Sequence, residues 1–154
     1  ELNPRAYEAI MSSDYIILGP GDFYTSIVPN LLSKWMKEAL QKTPAKIIYI
    51  CNIMTKKWET TTYELKDFID NIEKYAWEVI DYVFVNNWKI SDELIEKYKT
   101  EEWKKPVKVK EWDNFEWKTY KIIQRDFINE SDVVRHDPIK LAKTICDLVD
   151  WWIK

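Results

Sequence analysis

Both glycines of the chain fall in one turn, Gly19-Pro20-Gly21, and side chains able to hydrogen-bond follow at once: Tyr24, Thr25, Ser26 and Asn30. Apolar Ile16–Leu18 precedes the turn and helix-type spacing follows it. Glycine leaves backbone N–H groups open to an anion, and a helix N-terminus adds partial positive charge. The chemistry on offer is the cradling of a phosphate or nucleotide. The same residues also make an ordinary strand-to-helix turn with a Ser/Thr cap. Asp22 weighs against the anion, because a carboxylate beside a phosphate is repulsive unless a cation intervenes.

Three more segments could carry chemistry. Cys51-Asn52-Ile53-Met54-Thr55 follows an apolar run, and Glu59 lies in the same loop. In an open α/β sheet, ligands bind beyond the carboxyl ends of the strands, where Asn52, Met54 and Thr55 would sit. Asn and Thr are also common turn residues. Asn86, at the end of the next apolar run, has the same two readings. Arg135-His136-Asp137-Pro138 is either a helix start, with Asp137 as cap and Pro138 in the first turn, or a phosphate clamp (Arg135) with an acid/base or orienting group (His136).

These segments need a scaffold. Helical spacing is expected at Pro4–Ser12, Ile27–Gln41, Tyr63–Trp77, Ser91–Lys99, and from Asp137-Pro138 toward Trp151. Short apolar runs read as strands at Tyr15–Leu18, Lys46–Cys51 and Val79–Val85, with weaker ones at Val107–Val109 and Tyr120–Arg125. Thr100–Lys118 carries the least pattern. Alternating strands and helices imply a mainly parallel sheet with helices on both faces, in a single α/β domain spanning 1–154. The chain has no G-x-G-x-x-G and no Walker lysine.

Composition narrows the classes. With 154 residues, 46% hydrophobic and 32% charged, the chain suits one domain with a real core. A net charge of −3 and a pI near 5.3 give no global attraction to nucleic acid or anionic lipid. No apolar run approaches the ~20 residues of a membrane span. No secretory leader pattern is visible, so Cys51 and Cys146 are expected as buried, reduced thiols in the cytoplasm. One histidine cannot build a multi-histidine metal site.

Taken in order, GPG-x-x-YTSI-x-PNLL, CN-x-MT, ET, D-YV-x-VN and RHDP-x-KLA resemble the YvcK-type gluconeogenesis factors of the CofD-like, 2-phospho-L-lactate transferase superfamily. The resemblance covers nearly the whole chain and implies a Rossmann-like, three-layer fold. It implies a cytoplasmic regulatory protein of carbon metabolism, cell-wall synthesis and cell shape that binds a nucleotide-containing ligand, a UDP-sugar above all. The alternative it implies is a phosphotransferase that moves a 2-phospholactate-type group from a nucleotide-activated donor, with a divalent metal such as Mg. Homo-oligomers and protein partners in cell-wall synthesis are further implications. The family's N-terminal glycine-rich loop has no counterpart here, so this chain resembles the C-terminal part of a larger protein.

One departure from the resemblance is systematic. The chain has nine Trp and two Gly, whereas Gly averages about 7% of residues. Trp35, Trp58, Trp77 and Trp88 stand where the family has glycine, and Trp103 and Trp117 fall where turn glycines fit. Two readings follow: UGA codons that belong to glycine, or true tryptophan enrichment with remodelled loops.

Overall fold

The computed structural model describes residues 1–109, 119–130 and 133–152. Four strands, β1 (Tyr15–Leu18), β2 (Lys46–Ile50), β3 (Tyr82–Asn86) and β4 (Lys121–Arg125), form one parallel sheet in the order β1-β2-β3-β4. A separate antiparallel pair joins β5 (Ile128–Glu130) to β6 (Val134–His136). Six α-helices are described: α1 (Pro4–Ser12), α2 (Val28–Leu31), α3 (Met36–Lys42), α4 (Leu65–Ala76), α5 (Asp92–Lys97) and α6 (Pro138–Trp152). A wide π-type turn, Phe23–Ile27, leads into α2, and another, Tyr98–Glu102, extends α5.

The central strands β2 and β3 are buried on both sides, as in other parallel sheets, while β1 and β4 are partly exposed. Side chains alternate along each strand. Ile47, Tyr49 and Cys51, with Val83 and Val85, meet Leu31, Leu40, Leu65, Phe68, Ile69 and Ile72 from the helices of one face. Ile48, Ile50, Tyr82 and Phe84 meet Phe127 and Leu141, so α6 covers the other face. Phe84 and Phe127 stack at 5.5 Å. This is the expected three-layer α/β arrangement, with helices on both faces.

Element ends follow local chemistry. Asn3 caps α1 by accepting from Arg5 N at 2.9 Å, with Pro4 in the first turn. Glu64 and Asp67 form a reciprocal capping box at α4. Asp137 caps α6 by accepting from Ile139 N at 2.8 Å and Lys140 N at 3.1 Å.

Several expectations need correction. The helix expected over Ile27–Gln41 is broken into α2 and α3, because Trp35 takes a left-handed backbone at φ 76°. Strand β3 starts at Tyr82 rather than Val79, since Asp81 uses its carboxylate on Lys46 Nζ (2.7 Å) and Ile47 N (2.9 Å). Val107–Val109 is not a strand; one bridge, Met54 to Pro106, and a bond from Val107 N to Ile53 O hold that stretch to the loop after β2. Cys146 is exposed, so only Cys51 is the expected buried thiol. Burial pushes Cys51 up to about 12. Trp117 and much of Thr100–Lys118 lie outside the described residues.

Candidate functional site

The loops after β1 and β2 leave the sheet at its carboxyl edge and open a cavity of about 490 Å³, a size typical of small-molecule sites. Pro20, Gly21 and Asp22 come from the first loop. Asn52, Met54, Thr55 and Lys56 come from the second, Tyr98 and Lys104 from the end of the α5 region, and Arg135 and His136 from β6. Among the described strands the sheet order never reverses. The cavity therefore does not lie at a topological switch point of the described sheet, and β6 contributes Val134, Arg135 and His136 to its lining.

The loops are stitched together by side chains. Asn52 Nδ2 donates to Gly21 O at 2.8 Å. Its Oδ1 is buried without a hydrogen-bond partner. Thr55, buried, accepts from Lys105 N at 3.0 Å, while its own N–H donates to Lys105 O at 2.8 Å. That pair brings Lys104 to the cavity across a long sequence separation. His136 Nε2 lies 3.2 Å from Cys51 O. A carbonyl can only accept, so Nε2 carries the proton and Nδ1 is the acceptor side of the neutral ring. Burial lowers the His136 pKa, and the Cys51 carbonyl opposes that shift.

Three cations line the cavity, and they differ in commitment. Lys56 Nζ is held by Asp22 at 2.5 Å and Glu59 at 2.7 Å, and those carboxylates raise its pKa. Lys104 pairs with Glu102. Arg135 is exposed and makes no side-chain hydrogen bond or ion pair with any described residue. A guanidinium at a concave polar site with no internal partner suits a bidentate anion such as phosphate.

The structure divides the sequence-derived candidates. Pro20, Gly21, Asn52, Met54, Thr55, Arg135 and His136 share the cavity. Gly19 sits behind it: its φ is +84°, and a Cβ there would come 3.0 Å from Ile50 O. Its role is to let β1 turn close against β2. Tyr24 points into an aromatic group with Phe23 and Tyr63, its hydroxyl 2.5 Å from that of Tyr63. Thr25 and Ser26 are exposed outside the lining, and Asn30 Nδ2 folds back onto Ser26 O at 2.6 Å. Glu59 holds Lys56 from behind. Asn86 faces a second cavity of about 510 Å³. There its Oδ1 accepts from Phe127 N at 3.0 Å, fixing the chain where it enters β5. Arg135 and His136 belong to β6, one step before the cap of α6. Lys56 and Lys104 were not singled out from sequence; Lys56, adjoining Thr55 at a strand end, was the findable one.

A divalent metal does not fit these residues unaided. The one carboxylate lining the cavity, Asp22, is already on Lys56. Among the described residues no three His, Cys, Asp or Glu side chains gather.

An α/β domain with a cavity lined by Lys56, Lys104 and Arg135 at its carboxyl edge has known relatives. The profile of the family described as "2-phospho-L-lactate transferase CofD" matches residues 1–128, and the chain belongs to that family. It is 37% identical to the "Gluconeogenesis factor" of Bacillus subtilis, over 95% of this chain and 46% of that protein. It is 34% identical to the "Gluconeogenesis factor" of Halalkalibacterium halodurans, over 91% of this chain and 44% of that protein. The crystal structure of protein BH3568 from Bacillus halodurans, a member of the UPF0052 family, superposes with a TM-score of 0.87 at 34% identity, over 94% of this chain and 46% of that one. The chain thus spans about half the length of the relatives it matches. Among the described residues no helix is long and apolar enough to cross a membrane.

Proposed function

We propose that this chain forms part of the binding site for a nucleotide-activated sugar, a UDP-sugar above all, in a regulatory protein of the gluconeogenesis-factor type. The observation that carries the reading is Arg135, an uncommitted guanidinium facing the Gly21 and Asn52 loops across one cavity. A diphosphate would meet Arg135 together with Lys104 and Lys56. Its sugar or base would meet Asn52, Met54 and Thr55. Lys56 and Lys104 are already paired with carboxylates, so Arg135 is the uncompensated charge at the cavity, which favours an anionic ligand over a neutral sugar. In this reading the chain is the C-terminal part of a larger protein that acts in the cytoplasm on carbon metabolism and cell-wall synthesis, with protein partners or further copies of itself.

The family match favours a second reading, transfer of a 2-phospholactate-type group from a nucleotide-activated donor. The two are separated by experiment. UDP-N-acetylglucosamine is titrated into the full-length protein by calorimetry, with N-acetylglucosamine as control. Saturable binding of the nucleotide sugar alone supports the first reading. No binding of it, with turnover of a phospholactate donor instead, supports the second.

A further inference from the structure

Four residues other than glycine have a left-handed backbone among the described residues: Trp35 (φ 76°), Trp58 (φ 67°), Trp77 (φ 73°) and Trp103 (φ 53°). All four are tryptophan. Bulky residues with positive φ are genuine outliers, and no sequence preference draws tryptophan to them. Each sits where a chain ordinarily uses glycine. Trp77 closes α4, its N–H donating to Glu73 O at 2.7 Å. With ψ at −172° it occupies a region that is essentially glycine-only. Trp103 ends the Tyr98–Glu102 turn in the left-handed capping position, bonded to Tyr98 O. Trp35 makes the reversal between α2 and α3, and Trp58 the tight turn between Lys56 and Thr60.

The indoles supply nothing that would compensate. All four are exposed, from 51% at Trp35 to 88% at Trp58, and none joins a core cluster. Among the described residues, lysine ammonium groups lie over their faces at 3.9 to 5.2 Å. Trp88 was expected in the same group, but its backbone is not left-handed, so the geometry singles out four positions and not every tryptophan.

We propose that the chain made in its native cells carries glycine at positions 35, 58, 77 and 103, each written as a UGA codon, which one genetic code reads as tryptophan and another as glycine. A single reading error then accounts for two facts at once: a 154-residue α/β chain with two glycines, and tryptophan as the residue at every strained turn described. It also changes the surroundings of Lys57. Lys57 Nζ lies over the rings of both Trp58 and Trp103; with glycine at both positions that lysine is released beside Lys56 and Lys104.

Peptide mapping by mass spectrometry of the protein purified from its native cells tests this directly. Glycine at all four positions is the expected result, and tryptophan at position 77 would overturn the proposal. A second measurement uses recombinant full-length protein with and without W35G, W58G, W77G and W103G. Relief of left-handed strain should raise Tm by about 2–4 °C per position, most at W77G. An unchanged or lower Tm for the fourfold variant would contradict the strain on which the inference rests.

Discussion

The side chain of Asn52 donates to the backbone carbonyl of Gly21 at 2.8 Å, joining the loop that ends β2 to the loop that ends β1. The two loops form adjoining walls of the cavity, so this bond sets the width of the site. Replacing Asn52 by Ala leaves the Gly21 carbonyl without its partner and removes the buried Oδ1. A hydrogen bond of this kind contributes about 0.5–1.5 kcal/mol net. The expected outcome for Asn52→Ala is a Tm a few degrees lower by calorimetry and clearly weaker UDP-N-acetylglucosamine binding by titration.

The two glycines should respond differently to the same change. Gly19→Ala places a Cβ 3.0 Å from Ile50 O in a backbone with φ +84°, and should destabilise by about 1–3 kcal/mol. Gly21→Ala meets the exposed Ser26 side chain at 3.2 Å, outside the cavity lining, so the fold should persist with a smaller loss of stability and little change in nucleotide-sugar affinity. Denaturant melts and binding isotherms of the two variants separate these effects. Equal stability of both would contradict the assigned role of Gly19.

His136 sets a pH dependence of stability. Burial lowers its pKa in the folded state, so the unfolded chain binds the proton first as pH falls. Stability is full above the ordinary histidine pKa near 6.5 and decreases as pH drops below it toward the folded-state value. His136→Gln, which keeps a donor for Cys51 O, should flatten that part of the Tm profile between pH 7 and 5. A wild-type Tm that rises on acidification through this range would contradict the buried, neutral imidazole.

Tyr24 distinguishes support from contact. Its hydroxyl bonds to Tyr63, whose phenol is pushed up to about 12 by burial first and by that bond second. Tyr24→Phe should lower stability by about 1 kcal/mol and leave nucleotide-sugar affinity unchanged within about twofold. A large loss of affinity would place Tyr24 at the ligand after all.

What the sequence made legible was what local rules govern. The Lys46–Cys51 run alternates its side chains between two cores, and the Asn3-Pro4 and Asp137-Pro138 pairs mark helix starts from their own chemistry. The break between α2 and α3 was hidden because it turns on Trp35 adopting a glycine conformation, which no propensity predicts. Asn52 and Thr55 were found because strand ends are where such sites lie. Tyr24 and Asn86 have equally suitable side chains, but packing spends one on Tyr63 and the other on Phe127 N. Lys104 was invisible because the backbone pairing between Thr55 and Lys105 that positions it is long-range.

In the proposed function Arg135 faces an anionic ligand rather than serving the start of α6. Asp137 and Pro138 already provide that start, and a positive charge near a helix N-terminus is mildly unfavourable to its dipole. The direct measurement is calorimetric titration of UDP-N-acetylglucosamine into full-length wild type and Arg135→Ala, with Tm recorded for both. The exposed guanidinium has no partner among the described residues, so Tm should be nearly unchanged, while affinity should fall by more than tenfold, about 1.4 kcal/mol. A folded Arg135→Ala protein that binds the nucleotide sugar as tightly as wild type would contradict a ligand-binding role for Arg135.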